Sequence, residues 1–289
     1  KINGKIVCNL CPFKCSLSNG QSGICRVRSN REDKLVLDSY GLMTVPVLDR
    51  IQKRPIYLYP DFPISDKKVN SLTVGSVGCN NRCPFCQNWE ISQVNEWDGL
   101  KKYSPLQLVE ATIKNGMSFI SFTFNEPIIM YEYIKDTYEA ILNFNYPDKD
   151  KPKICMKTAG YLSEEYWHQF PIFAHVFNVD IKPMDSEYEK KCGILNTDFV
   201  LGFIKAIHGA GRHLEISHIL IEGVNDNQTS MSKFLDFIGN LDVNIGIHLL
   251  RHYPAWKSNY PITKDKSLEI WGNYLRNNGL KNVFTNDVG

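Results

Sequence analysis

From residue 71 onward, short apolar runs alternate with longer amphipathic stretches, and this alternation predicts repeated strand-then-helix units. The runs 72–77, 119–124, 153–158, 176–181, 214–221 and 245–250 have strand length and are rich in Val, Ile, Leu and Phe. Between them lie helical segments with readable ends. Ser104 supplies an N-cap, Pro105 follows it at the first helical position, and Gly116 closes that helix. Segments 197–209 and 228–239 also end near Gly, and a last helix at 266–278 precedes a short run at 282–285. Six such units with short links require crossover connections and therefore imply a parallel sheet. The fold class expected is α/β: a curved sheet or partial barrel of six strands with helices outside.

The first seventy residues break this pattern. Cys8, Cys11, Cys15 and Cys25 form C-x2-C-x3-C-x9-C in a stretch rich in Gly, Asn and Ser, which has too little apolar surface for a core of its own. A metal would fold it. The expected organisation is a Cys-rich metal module at 1–30, a connecting segment at 31–70 with one strand-like run at 34–40, and the partial barrel at 71–289.

Composition narrows the function classes. The 289 residues are 43% hydrophobic with a net charge of +2, enough for one large core and too balanced to indicate a nucleic-acid partner. No apolar run is long enough to span a bilayer and no signal-peptide pattern opens the chain, so no membrane partner is expected. Seven of the nine cysteines fall in two tight clusters, which fits metal ligation in a reducing cytoplasm better than a disulfide framework. Cys155 and Cys192 stand apart and read as small buried hydrophobes.

The second cluster is Cys79, Cys83 and Cys86 in VGSVGCNNRCPFCQNW, just past the first predicted strand, with Gly75 and Gly78 easing the backbone into the loop. A four-iron cluster takes one thiolate per iron. Three thiolates leave one iron free for another ligand, and an open iron means chemistry rather than simple electron transfer. The competing readings are a zinc knuckle and a set of buried thiols, but zinc prefers four closed ligands and this loop supplies three.

Other polar residues gather at predicted strand ends, where parallel βα arrays place their functional groups. They include Asn125-Glu126-Pro127, Thr158, Asp180-Ile181-Lys182, Glu222-Gly223 and Arg251-His252. Glu126 serves either a cationic ligand or a helix N-terminus. Asp180 and Lys182, two apart, point to one side of a strand and form either a site or a rim salt bridge. Ser217 and His218 face opposite sides, so only one need face the barrel interior. His248, Arg251 and His252 offer groups for an anionic substrate, or a solvated loop.

The CxxxCxxC loop, with Phe85 before its last cysteine, resembles the signature of radical S-adenosylmethionine (SAM) enzymes. That resemblance implies a [4Fe–4S] cluster whose free iron takes the amino and carboxylate groups of SAM. Reductive cleavage of SAM to a 5′-deoxyadenosyl radical then belongs to the cofactor, with the protein supplying orientation and electrostatics. Phe85 would pack near the adenine, shield the cluster, or serve as ordinary core. Radical SAM enzymes often carry Gly-Gly-Glu-Pro after the second strand to hold the SAM amino group; this chain keeps Glu126 and Pro127 but has Phe124 and Asn125 for the glycines. Asn178-Val-Asp-Ile-Lys182 resembles the D-L-K stretch of pyruvate formate-lyase activating enzymes, near SAM and the substrate peptide. Ser217 or His218 would then approach the SAM ribose or carboxylate, and Arg251 and its neighbours the SAM carboxylate or the substrate.

The match extends over residues 5–286. CNLCPFKCSLSNGQSGICRVR, KRPIYLYP, GSVGCNNRCPFCQNWEIS, SFTFNEP, FNVDIKPM and IEGVND together resemble the AmmeMemoRadiSam-system radical SAM proteins, often labelled as relatives of pyruvate formate-lyase activating enzymes. Arg50 and Gln52 depart from that pattern, where relatives tend to have Pro and Glu. The resemblance implies a partial (β/α)6 TIM-type barrel, one SAM-binding cluster and an electron donor such as flavodoxin or ferredoxin. The four N-terminal thiols allow zinc or a second, fully ligated [4Fe–4S] cluster. Three functions follow as expectations: hydrogen abstraction from a small-molecule substrate, installation of a glycyl radical on a partner enzyme, or, outside catalysis, an iron–sulfur electron carrier.

Overall fold

The computed structural model describes residues 4–93, 98–182, 184 and 186–285. Seven parallel strands run in chain order through one sheet: β1 (Ser71–Val74), β2 (Phe119–Phe122), β3 (Lys153–Thr158), β4 (Val176–Ile181), β5 (His213–Leu220), β6 (Gly246–Arg251) and β7 (Asn282–Phe284). A short strand, Val47–Asp49, adds antiparallel to the free edge of β1, and the two outer strands do not pair with each other. The sheet is thus an open barrel. It exceeds the six strands expected, because 282–285 pairs with β6 and the connecting segment supplies an edge.

The crossovers form as their sequences direct. Helix α1 (Pro105–Lys114) starts with a reciprocal capping box between Ser104 and Gln107. Helices α2 (Tyr131–Asn143), α3 (Asp198–Gly209), α4 (Gln228–Leu241) and α5 (Asp265–Asn277) follow β2, β4, β5 and β6. The Asn227 side chain caps α4 by accepting from the Ser230 N–H.

Strand alternation divides the protein into two cores. Leu72, Ile120, Ile154, Phe177 and Ile216 face the helices in the main apolar cluster. Their neighbours face inward and are largely polar: Ser71, Ser121, Lys157, Asn178, Glu215, Ser217 and His248. β1 and β2 are buried throughout, since both faces of a parallel strand are covered.

The stretch containing KRPIYLYP fills the lower end of the barrel, at the strand N-termini. Ile51, Ile56 and Tyr59 pack on Phe119, Cys155 and Val176. The Glu215 carboxylate accepts from the Tyr57 and Leu58 N–H groups at 2.7 and 2.8 Å, and Asn178 donates to the Pro55 carbonyl at 2.8 Å. Gln52, one of the departures from the relatives' pattern, donates to the Phe62 and Pro63 carbonyls at 3.0 Å each. That substitution therefore concerns the closure of a loop at the lower end.

The N-terminal segment packs beside the upper end. Hairpins Ile6–Val7 with Ser16–Leu17 and Arg28–Arg31 with Lys34–Leu37 frame its four cysteines. A Cβ on Gly78 would lie 2.4 Å from the Cys25 carbonyl oxygen, so only glycine permits this close approach, and its φ of +79° is the glycine-favoured region too.

Candidate active site

The upper end opens into a cavity of about 250 Å3. The loop after β1 contributes Cys79, Cys83, Phe85 and Cys86; the turn after β2 adds Thr123, Phe124, Asn125 and Glu126. β3 brings Lys157 and Thr158, β4 brings Asp180 and the following Lys182, β5 brings Ile219, and β6 brings Leu250 and Arg251. All three loop cysteines share this one wall. The Asn81 N–H reaches the Cys79 sulfur at 3.3 Å, and Cys86 Sγ lies 3.1 Å from Ser92 Oγ. Among the described residues, no three Cys, His, Asp or Glu side chains converge on a single metal ion. A cubane does not require such convergence, because each thiolate takes a different iron. Cys79, Cys83 and Cys86 fit that cluster by donor type and by facing one cavity.

Glu126 is 3% exposed and accepts three hydrogen bonds, from Thr158 Oγ1 and the Ala159 and Ile128 N–H groups. Burial raises its pKa. The carboxylate caps the short helix Pro127–Met130 and also lines the cavity. Asn125 turns inward: its oxygen accepts from Ser76 N–H at 2.9 Å and its amide donates to the Gly78 carbonyl at 3.0 Å. Its polar atoms position the cysteine loop. Phe124 adopts a φ of +70°, the left-handed region where the related motif has glycine, and its ring lies 5.2 Å from the Arg54 guanidinium.

The cavity floor is an ionic network. Lys157 Nζ donates to Asp180 and Asn178 at 2.8 Å each, and Lys182 Nζ donates to Asp180 at 3.4 Å. Burial lowers the Lys157 ammonium pKa despite Asp180. Burial would also lower that of Lys182, but the Asp180 charge outweighs it and holds it above its ordinary value. For Asp180, burial opposes ionisation, yet Lys157 and Lys182 together keep its pKa below the usual range. Ser217 donates to Asn178 at 2.8 Å, one layer beneath the cavity.

Several expected residues lie elsewhere. His218 points to the helix layer, where it stacks on Phe234, donates to the Ile181 carbonyl at 2.9 Å and accepts from Asn225. His248 is buried in the lower barrel, 2.7 Å from Glu215 and stacked on Phe284. His252 is held between the Pro261 carbonyl and Ser258 Oγ, 2.9 Å from each, behind Phe85. Arg251 alone of that trio lines the cavity, with its guanidinium on the Thr263 carbonyl and Asp265. Phe85 both lines the cavity and packs in a small core with Tyr188 and Cys192.

Lys157 was missed by the sequence reading. Its signal was the alternation in KICMKT, where Ile154 and Met156 face the helices and therefore turn Lys157 inward.

The model of the radical SAM superfamily matches residues 73–235, more than half of the chain. This chain belongs to the radical SAM superfamily. An uncharacterized protein of Methanocaldococcus jannaschii is 30% identical over 99% of this chain and 82% of its own length. Among solved structures, a radical SAM methyltransferase from Sphaerobacter thermophilus shares the fold with a TM-score of 0.57 and 17% identity, over 80% of this chain and 69% of that one. SuiB of Streptococcus suis, bound to S-adenosylmethionine, has a TM-score of 0.53 and 12% identity over 74% of this chain and 49% of that one. Membership of the radical SAM superfamily implies a [4Fe–4S] cluster and SAM, and supports SAM-dependent radical chemistry. It leaves the substrate open. No helix among the described residues is long and apolar enough to cross a membrane.

Proposed function

We propose that this protein is a radical SAM enzyme that abstracts a hydrogen atom from a small-molecule substrate held at the upper end of the barrel. The observation carrying this reading is one cavity lined by three thiols, a buried carboxylate and a lysine–aspartate–lysine floor. Cys79, Cys83 and Cys86 would hold the cluster, which when bound supplies the electron that cleaves SAM. Glu126 provides a carboxylate for the SAM ammonium, a charge-assisted bond. Asp180 orients Lys157 and Lys182, leaving the remaining N–H groups of Lys182, and the third N–H of Lys157 that otherwise makes a long 3.4 Å contact with Ser217, for a carboxylate of SAM or substrate. Phe85 and Phe124 cover the walls with apolar surface and exclude water there. A low-potential carrier of the flavodoxin or ferredoxin class would deliver the electron, in a cytoplasmic setting.

Activation of a glycyl-radical enzyme is the second reading, favoured by the Asp180-Ile-Lys182 stretch standing at the cavity rather than on the outer rim. The test is anaerobic reconstitution and reduction with SAM, assayed for 5′-deoxyadenosine. Wild type should form the nucleoside and Cys83→Ala none. Silence from a wild-type protein with an intact cluster would overturn the radical assignment. A glycyl electron paramagnetic resonance doublet on a co-purifying partner would replace the small-molecule reading with the activase.

A further inference from the structure

The segment that plugs the lower end also carries one residue to the wall of the cavity. Arg54, within KRPIYLYP, is 8% exposed, and its guanidinium lies 5.2 Å from the centre of the Phe124 ring. That ring lines the cavity. Arg54 Nη2 donates to Asp49 on the edge strand at 3.2 Å, and Nη1 donates to the Lys53 carbonyl at 3.3 Å. Its Nε has no hydrogen-bond partner among the described residues. Burial lowers the guanidinium pKa despite the Asp49 charge, so the ion pair alone does not compensate this cation. The negative face of an aromatic ring offers a further partner, and such a contact strengthens where water is excluded.

The backbone around the ring is shaped to admit it. A Cβ on Gly75 would lie 2.9 Å from Phe124 Cβ and 2.7 Å from the Thr123 carbonyl oxygen, too close for either. Glycine just past β1 therefore leaves the space that this turn occupies. Phe124 itself holds a φ of +70°, a region an L residue enters only at a cost. Three features thus converge on one side chain: a strained backbone, a glycine cleared beside it and a buried cation on its ring. A space-filling residue would call for neither the strain nor the cation. Glu126 follows two residues later in the same turn and lines the same cavity. The placement of the ring therefore bounds the cavity on the turn that carries the carboxylate.

We propose that Arg54 is a positioning residue that holds the Phe124 ring in the cavity wall, so that the lower plug shapes the SAM site above it. This rests on the reading of the cavity as a SAM site and adds to it a residue from outside the barrel strands.

A double-mutant cycle on SAM affinity tests it, by equilibrium dialysis of the anaerobically reconstituted chain against labelled SAM. Arg54→Met removes the cation and keeps an apolar stem, while Asp49 retains Lys53 at 3.1 Å. It should weaken SAM binding by about threefold to tenfold, the weight of one desolvated cation–ring contact. Phe124→Leu keeps apolar bulk and the strained backbone but lacks the ring face. In that background Arg54→Met should change SAM affinity by less than about twofold. Gln52→Ala loosens the plug at the Phe62 and Pro63 carbonyls instead, so it should lower the unfolding midpoint and leave SAM affinity unchanged. No loss from Arg54→Met, or an equal loss without the ring, would overturn the proposal. A comparable loss from Gln52→Ala would do the same, by reducing Arg54 to a general brace of the plug. Wild type that binds SAM without forming 5′-deoxyadenosine would sink the proposed activity and leave this positioning role standing.

Discussion

The two ends of the barrel interior are built from the same strands, two residues apart, and behave oppositely. At the lower end, Glu215 is fully buried and receives donors from Tyr57, Leu58, His213 and His248. At the upper end, Asp180 receives two lysines whose ammonium groups also line an open cavity. Both layers bury charge, but only the lower one is sealed by a chain segment. Sealed charge specifies the fold, and charge on a cavity is available for chemistry.

Breaking the lower layer should have the largest effect on stability. Glu215→Ala leaves two backbone N–H groups and two imidazoles without their acceptor, among them the fully buried His248. Loss of one partner of a buried charged network costs on the order of 3–5 kcal/mol. Urea unfolding should show that loss. A change below about 1 kcal/mol would mean that the 55–59 segment is not held by Glu215.

Acid titration tests the same layer more gently. Burial works against ionisation of Glu215, but His213 and His248 outweigh it and hold its pKa down to about 2, against 4.5 unfolded. A carboxyl with a depressed folded value contributes stability above the unfolded value and loses it as pH falls through the folded one. The difference corresponds to about 3 kcal/mol, and the loss should begin as pH drops below about 5. Glu215→Gln should flatten that part of the stability–pH curve. An unchanged slope would assign the acid sensitivity to other groups.

The upper layer should respond in function rather than in folding. Lys157→Met removes a cation whose burial already opposes its charge, and Lys182 still pairs with Asp180. Unfolding free energy should stay within about 1 kcal/mol of wild type, while SAM affinity falls by about tenfold to a hundredfold, the weight of one or two charge-assisted bonds. Equilibrium dialysis against labelled SAM reads this directly. Equal affinity with reduced stability would turn Lys157 into a second Glu215.

The contrast also explains what the sequence disclosed. The upper end was legible because strand ends carry their polar groups next to one another in sequence, as in Asn125-Glu126 and Asp180-Ile-Lys182. The lower end was not, because its partners are distant: Tyr57 meets Glu215 across 158 positions, and nothing in the pattern of residues 31–70 predicts a plug. Alternation separated Ser217 from His218 but could not say which faced inward, and it is His218 that packs on Phe234. The edge strand Val47–Asp49 escaped for a related reason: three residues with two exposed side chains give no period to read.

The smallest expected effect probes the backbone where the upper layer departs from its relatives. Phe124 holds a φ of +70° without being glycine, at a cost of roughly 1–2 kcal/mol for an L residue. Phe124→Ala and Phe124→Gly both remove the ring from the cavity wall and from Arg54, but only glycine also relieves the backbone. The glycine variant should therefore be the more stable of the two by about 1 kcal/mol, read as a few degrees in thermal midpoint. Equal midpoints would mean that the turn relaxes once the ring is gone. A more stable glycine variant would show that this turn keeps a strained residue, and that the Phe124 ring is retained for the cavity it lines.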